Sequence, residues 1–201
     1  EQIIPPEGII DENGERIPWE LCATMNNHWG YCNFDHEYKP ADMLIRKLVE
    51  CTSKGGNMIL NVGPDAKGRI PKESVQILEE IGAWMEQNGE SIYGCGISEI
   101  PKPEWGRYTQ NGDTIYAHVY EAPLGALPLY GIAPDRLEKV YYLTDGSEMT
   151  RGEAWNTVLF QDVAFVSLGA NPVFTYPLPD PIDTVLKIKI KKGSRLCPGM
   201  D

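Results

Sequence analysis

Two hydrophobic patterns divide the chain near Gly94. Before it, short apolar runs alternate with stretches of helical spacing. Residues 20–26 (ELCATMN) suit a short buried strand, and residues 57–62 (NMILNV) form a second apolar run behind Gly55-Gly56. Between them Met43, Leu44, Leu48 and Val49 recur at helical spacing. Pro40 fits the first turn of that helix, and the double glycine stops it after about Thr52. Pro71 opens a second helix, with Val75, Leu78, Ile81, Gly82 and Met85 on one face and Asn88-Gly89 at its end. Strand, helix, strand and helix joined by short connections predict parallel α/β structure. Residues 1–18, rich in proline, glycine and charge, read as loop.

Beyond Gly94 no helical period persists. Short β-rich runs take over at Thr114–Tyr120, Lys139–Leu143, Thr157–Phe160, Val163–Val166, Val173–Tyr176 and Val185–Ile190. Turn formers separate them at Asn111-Gly112-Asp113, Asp145-Gly146 and Pro177–Pro181. The expectation is a small antiparallel β-sandwich. In the last run, VLKIKIKK, lysines alternate with apolar residues, so one face is buried and one is wet. The fold class is therefore α/β plus all-β, with domains at 1–94 and 95–201.

Charge narrows the function. Eighteen basic and 29 acidic residues give a net charge of −11. That disfavours nucleic acid, whose phosphates need a basic surface, and an anionic membrane surface. It suits a neutral ligand such as a sugar. No apolar run approaches the roughly 20 residues of a membrane span. The chain opens on EQIIPP with neither an initiator methionine nor a signal peptide, so it reads as a fragment or a processed product. The sequence assigns no compartment. Its five cysteines are widely spaced without a C-x-x-C pair, which predicts reduced thiols in place of a disulfide scaffold.

The loop Cys32-Asn33-Phe34-Asp35-His36-Glu37-Tyr38 carries two carboxylates and a histidine among aromatics. On a β/α barrel, loops that follow strands form the catalytic face. A carboxyl group shielded by aromatic rings is harder to ionise, which is what an acid/base in glycoside hydrolysis requires. The competing reading is a solvated acidic loop. His28, Cys32 and His36 recur every four residues, but Gly30 and its neighbouring turn formers argue against the helix a zinc face would need, so no metal is expected. Trp19, Trp29 and Tyr31 fit either sugar stacking or core packing. Asn57 and Asn61 stand at the two ends of the second strand, where a polar side chain can face a site or cap a turn. The glycines at 55–56 and 63–68 lack the pattern of a P-loop or dinucleotide fold and read as turns. Trp84 reads as packing. His118 has no carboxylate nearby in sequence and reads as structural.

Three stretches, WELCATMNNHWGY, LIRKLVECTSKGGNMILNVGPDAKGRIP and IGAWMEQNGESIYG, together resemble the C-terminal part of the catalytic domain of family 29 α-L-fucosidases. The resemblance covers about 80 residues and continues more weakly through the predicted sandwich. It implies that the first half is the last two βα units of a (β/α)8-like barrel. It further implies a cofactor-free, retaining exo-glycosidase acting on terminal α-L-fucose of oligosaccharides or glycoconjugates. In such an enzyme an aspartate attacks the sugar, and a second carboxyl group first protonates the leaving oxygen and then activates water. By offset from Tyr31 the acid/base position matches Asp35, with Glu37 as the alternative. Trp29, Tyr31, His36 and Asn57 are the candidate substrate-binding residues. Trp19 and Glu20 match a Trp-Glu motif with no catalytic role. Cys32 departs from the asparagine many relatives carry after W-G-Y. The nucleophile and the residues that grip fucose belong to earlier strands and are not in this sequence. This predicts a chain inactive by itself, whose exposed edges need the N-terminal barrel segment or another copy of the chain. A non-catalytic glycan-binding or interaction module is the alternative function.

Overall fold

The computed structural model describes residues 4–152, 158–171 and 174–191, which fold into two compact units, Glu1–Gly89 and Glu90–Asp201. The first unit opens with a small antiparallel hairpin, β1 (Ile9–Ile10) and β2 (Arg16–Ile17), where a loop was expected. Asp11 closes its turn: Oδ1 accepts the Asn13 and Glu15 amides at 2.9 and 2.8 Å. Such side-chain-to-backbone bonds favour a turn, and a polar composition does not prevent the flanking isoleucines from pairing.

The centre of this unit is a βαβα run. Strand β3 (Trp19–Thr24) pairs in parallel with β4 (Gly56–Asn61), from Trp19 opposite Gly56 to Thr24 opposite Asn61. Helix α1 (Ala41–Ser53) makes the crossover, and α2 (Lys72–Asn88) follows β4. Both helices start immediately after a proline, Pro40 and Pro71, whose extended backbone supplies the N-cap. Parallel pairing needs a crossover of a dozen or more residues, and α1 with its loop provides it.

The side chains of β3 alternate in burial. Trp19, Leu21 and Ala23 pack with Cys51 of α1 and with Met58 and Leu60 of β4, while Glu20 and Cys22 are exposed. Glycine at 56 is required because the Trp19 indole lies over it; an added Cβ would sit 2.3 Å from the ring. The Trp19 Nε1–H donates to the Lys54 carbonyl at 3.1 Å. Trp19 is therefore a core residue. The opposite face of the pair is open. Glu20 and Asn57 lie side by side there, as do Cys22 and Ile59, and Ile59 is 47% exposed.

The helices are rotated slightly from the expected faces. In α1 the buried residues are Ala41, Leu44, Ile45, Val49, Cys51 and Thr52, with Met43 exposed. In α2 the buried residues are Ser74, Trp84 and Asn88, and Val75 and Gly82 face solvent. A small polar residue, Ser74, occupies the packed stripe, so apolar spacing alone displaced the predicted face. Among the described residues no helix is long and apolar enough to cross a membrane.

The second unit is antiparallel throughout. A five-stranded sheet runs in the order β5 (Gly96–Ile97), β6 (Gly106–Asn111), β7 (Thr114–Val119), β11 (Thr184–Ile190), β9 (Leu137–Tyr142). A two-stranded sheet pairs β8 (Leu127–Leu129) with β10 (Ala164–Val166). One core joins them: Ile115, Ala117 and Val119 of β7 and Leu186 and Ile188 of β11 pack with Leu127, Leu129, Ala164 and Val166. Gly112, at φ +55°, makes the tight β6–β7 turn. The sequence missed β5, β6 and β8. β6 (GRYTQN) is too polar to register as an apolar run, yet its Tyr108 is buried in the core. Two expected strands do not form as read. Val158–Phe160 and Phe174–Tyr176 are not strands, and Thr157 and Val173 lie outside the described residues.

Candidate active site

The loops that leave the C-terminal ends of β3 and β4 lie together. Gly63, just after β4, approaches the backbone of Gly30 and Tyr31 so closely that an added Cβ would stand 2.8 Å from Gly30 C and 2.9 Å from Tyr31 N. Asn61 ends β4, and its Nδ2 donates to the Trp29 carbonyl at 2.6 Å. The sequence offered Asn61 only as a turn cap or a site residue. In the fold it ties one loop to the other. The signal was the polar residue at the outgoing end of an apolar strand.

The β3–α1 loop is anchored at both ends. Lys39 Nζ donates to Thr24 Oγ1 at 3.2 Å and to the Asn26 carbonyl at 2.9 Å, and its own amide donates to the Met25 carbonyl at 2.8 Å. Thr24 Oγ1 in turn donates to the Asn26 carbonyl. Lys39 was not singled out from the sequence, because a lone lysine before a helix carries no distinguishing pattern.

Asp35 sits at the middle of this loop, with only 4% of its side chain exposed. Its Oδ2 accepts the Asn27 amide at 2.8 Å and stands 2.6 Å from His28 Nδ1, and its Oδ1 accepts the Glu37 amide at 3.1 Å. The hydrogen bond from His28, helped by the two amides, holds the Asp35 carboxyl below its ordinary value. Aromatic shielding was expected to raise it. The correction has a plain cause: donors aimed at the charged form outweigh burial. Phe34, the nearest aromatic in sequence, is 91% exposed and shields nothing.

Glu37 is exposed, and its backbone is fixed by the bond its amide gives to Asp35. His36 and Tyr31 are also exposed, and the Tyr31 hydroxyl donates to Asn33 Oδ1 at 3.1 Å. Trp29 is 52% exposed and belongs to the loop, not to the core. Asn57 is not brought to this cluster. It lies four residues before the outgoing end of β4, about 13 Å away along a strand. Its neighbour on the open sheet face is Glu20.

Between the two loops lies a cleft of about 510 Å³. Tyr31, Asn33, Asp35 and His36 form one side, and Asp65, Arg69 and Lys72 contribute to the other. That volume falls in the range of about 300–1,000 Å³ usual for small-molecule sites. The lining mixes phenol, amide, carboxylate and guanidinium groups, a set suited to hydroxyl-rich ligands. Loops at the C-terminal ends of parallel strands are where β/α-barrel enzymes place their catalytic groups, and this pair carries carboxylates around a polar cleft.

Comparison with known proteins points to one family. The sequence profile of the alpha-L-fucosidase family matches residues 3–90 of this chain. The alpha-L-fucosidase of Dictyostelium discoideum is 39% identical over 110 residues, covering 52% of this chain and 24% of that protein. The rat plasma alpha-L-fucosidase is 38% identical over 85 residues, covering 40% of this chain and 18% of that protein. Among solved structures, alpha-L-fucosidase isoenzyme 1 from Paenibacillus thiaminolyticus superposes with a TM-score of 0.89 at 46% identity, covering 95% of this chain and 44% of that one. A family 29 alpha-L-fucosidase from Bacteroides thetaiotaomicron, solved as a trapped covalent intermediate with 2-fluoro-fucosyl fluoride, gives a TM-score of 0.70 at 28% identity, covering 90% of this chain and 40% of that one. The chain thus spans about a quarter or less of these curated relatives and less than half of the solved ones.

Proposed function

We propose that this chain is the C-terminal portion of a retaining α-L-fucosidase, comprising the last two βα units of a (β/α)8-like barrel and a β-sandwich. The observation that carries the reading is the half-covered β3–β4 pair within the segment that matches the fucosidase family. Parallel sheets are buried on both faces in folded enzymes. Here α1 and the core around Trp19 cover one face, while Glu20, Asn57 and Ile59 lie open on the other. The earlier strands of a barrel would complete that second face and would supply the nucleophilic aspartate.

Within this reading the β3–α1 loop delivers the acid/base, and the two candidate carboxylates take different roles. Asp35 is buried, hydrogen-bonded by three donors and held ionised. It cannot readily carry the proton that the leaving oxygen needs, so it is a positioning residue. Glu37 is the free carboxylate of the loop, and Asp35 fixes its backbone. Glu37 first donates a proton to the glycosidic oxygen as the C–O bond breaks and the nucleophile forms a fucosyl ester. It then takes a proton from the water that hydrolyses that ester. Alone, the chain lacks the nucleophile and is inactive.

The test restores the upstream region and measures hydrolysis of p-nitrophenyl α-L-fucoside. Glu37→Gln should lower kcat by about 10²–10⁴-fold, the usual contribution of an acid/base. Added azide should recover part of that loss in the second step. Asp35→Asn should retain a larger share of activity, with no azide response. Azide rescue of Asp35→Asn, with Glu37→Gln fully active, would reverse the assignment. Fucose-competable binding without hydrolysis would favour a glycan-binding module.

A further inference from the structure

The cleft wall formed by residues 65–69 is more rigid than a surface turn requires. Asp65 Oδ1 accepts the Lys67 and Arg69 amides at 2.8 and 3.0 Å, and the Asp65 amide donates to the Arg69 carbonyl at 2.9 Å. The Gly68 amide closes the turn on the Asp65 carbonyl at 2.9 Å, with Gly68 at φ +75°. Asp65 Oδ2 then receives Arg69 Nε at 2.9 Å and Nη2 at 2.8 Å. The Arg69 guanidinium is thereby held in one plane while 71% of its side chain stays exposed. A guanidinium offers five N–H donors, so those not given to Asp65 remain for a ligand.

We infer that the Asp65–Arg69 turn, facing Tyr31 and Asn33 across the cleft, is a subsite for the saccharide that leaves when fucose is cleaved. This rests on the fucosidase reading above. Asp65 spends its carboxylate on the Lys67 and Arg69 amides and on the guanidinium, and the guanidinium N–H donors it leaves over point a fixed charged donor at hydroxyl oxygens of a sugar, which accept. Tyr31 supplies a half-exposed ring whose hydroxyl is tied to Asn33, so the ring is available to the apolar face of a sugar. The ligand is neutral. The cations lining the cleft, Arg69 and Lys72, are offset by Asp35, Asp65 and Glu73. Asp35 and His36 line the same cleft, so a sugar on Arg69 lies beside the loop that carries Glu37.

The experiment compares two substrates of the full-length enzyme. On α-L-fucosyl fluoride the leaving group is a single atom and cannot reach Arg69. On a fucosylated trisaccharide the leaving group is a disaccharide. Arg69→Ala should lower kcat/KM on the trisaccharide by about tenfold or more, the loss expected when hydrogen bonds from a charged donor disappear. It should leave fucosyl fluoride within about twofold on the same scale. Arg69→Lys, which keeps charge but loses the fork, should fall between. An unchanged thermal midpoint for both variants excludes a folding cause. Equal losses on the two substrates would overturn the inference, since Arg69 would then serve the fucose itself or the loop. So would no loss on either. Wild-type enzyme inert toward fucosyl fluoride would overturn the fucosidase reading as well.

Discussion

Removing the carboxylate of Asp183 should destabilise the second unit more than any surface change. His118 on β7 is fully buried, with Nδ1 2.7 Å from Asp183 Oδ2 and Nε2 3.1 Å from Thr109 Oγ1. The Thr109 hydroxyl also donates to the Ser91 carbonyl at 2.8 Å, so both ring nitrogens of His118 have a buried polar partner. Both side chains of the His118–Asp183 pair have no solvent exposure. Asp183→Ala would leave a buried imidazole donor unpaired and open a small void. Breaking such a pair from one side costs about 3–5 kcal/mol. For a unit of about 100 residues that is a fall in melting temperature of roughly 15–25 °C. Differential scanning calorimetry and urea denaturation of the chain measure it. The double change His118→Leu with Asp183→Val should cost less than Asp183→Ala alone, because no polar group is then stranded. A loss below about 1 kcal/mol for Asp183→Ala, or costs that simply add, would refute the argument by showing that water or relaxation satisfies the histidine.

Three other outcomes are expected. Asp35 is held below its ordinary value of 3.8, so the loop order it supports is complete above that pH and is lost as pH falls through the lowered folded value; the Asn27 and Glu37 amide resonances should shift together, with a midpoint below 3.8. Gly63→Ala forces a Cβ against the Gly30–Tyr31 backbone and should cost about 1–3 kcal/mol, read as faster hydrogen exchange across residues 27–38. Cys22 lies on the open face of the β3–β4 pair and should react readily with a thiol reagent in this chain, yet be protected in the full-length protein; equal reactivity in both would count against the barrel reading.

Much of the architecture was readable from local chemistry. Pro40, Gly55-Gly56 and Pro71 bracket α1 and α2 because proline and glycine act through their own backbone, whatever surrounds them. The apolar run at residues 57–62 corresponds to β4, Gly56–Asn61, for a similarly local reason. The helical faces were less legible, since Ser74 is buried and Val75 is not, and that choice depends on what each helix packs against. Polar β6 went unseen because a strand enclosed by neighbours needs no apolar run of its own.

By itself the sequence determined the βαβα order, the β-rich second half, the acidic loop of residues 32–39 and the likeness to fucosidases. Each is written in residue type and spacing along the chain. Only the tertiary structure decided what those residues do. It brought Asp183 to His118 across 65 positions, set Asn61 on the Trp29 carbonyl 32 positions away, and left Asn57 distant from the cleft. It also made Asp35 a hydrogen-bonded anion and left Glu37 as the exposed carboxylate. Protonation depends on the donors and water around a group in three dimensions, and adjacent letters do not carry that information.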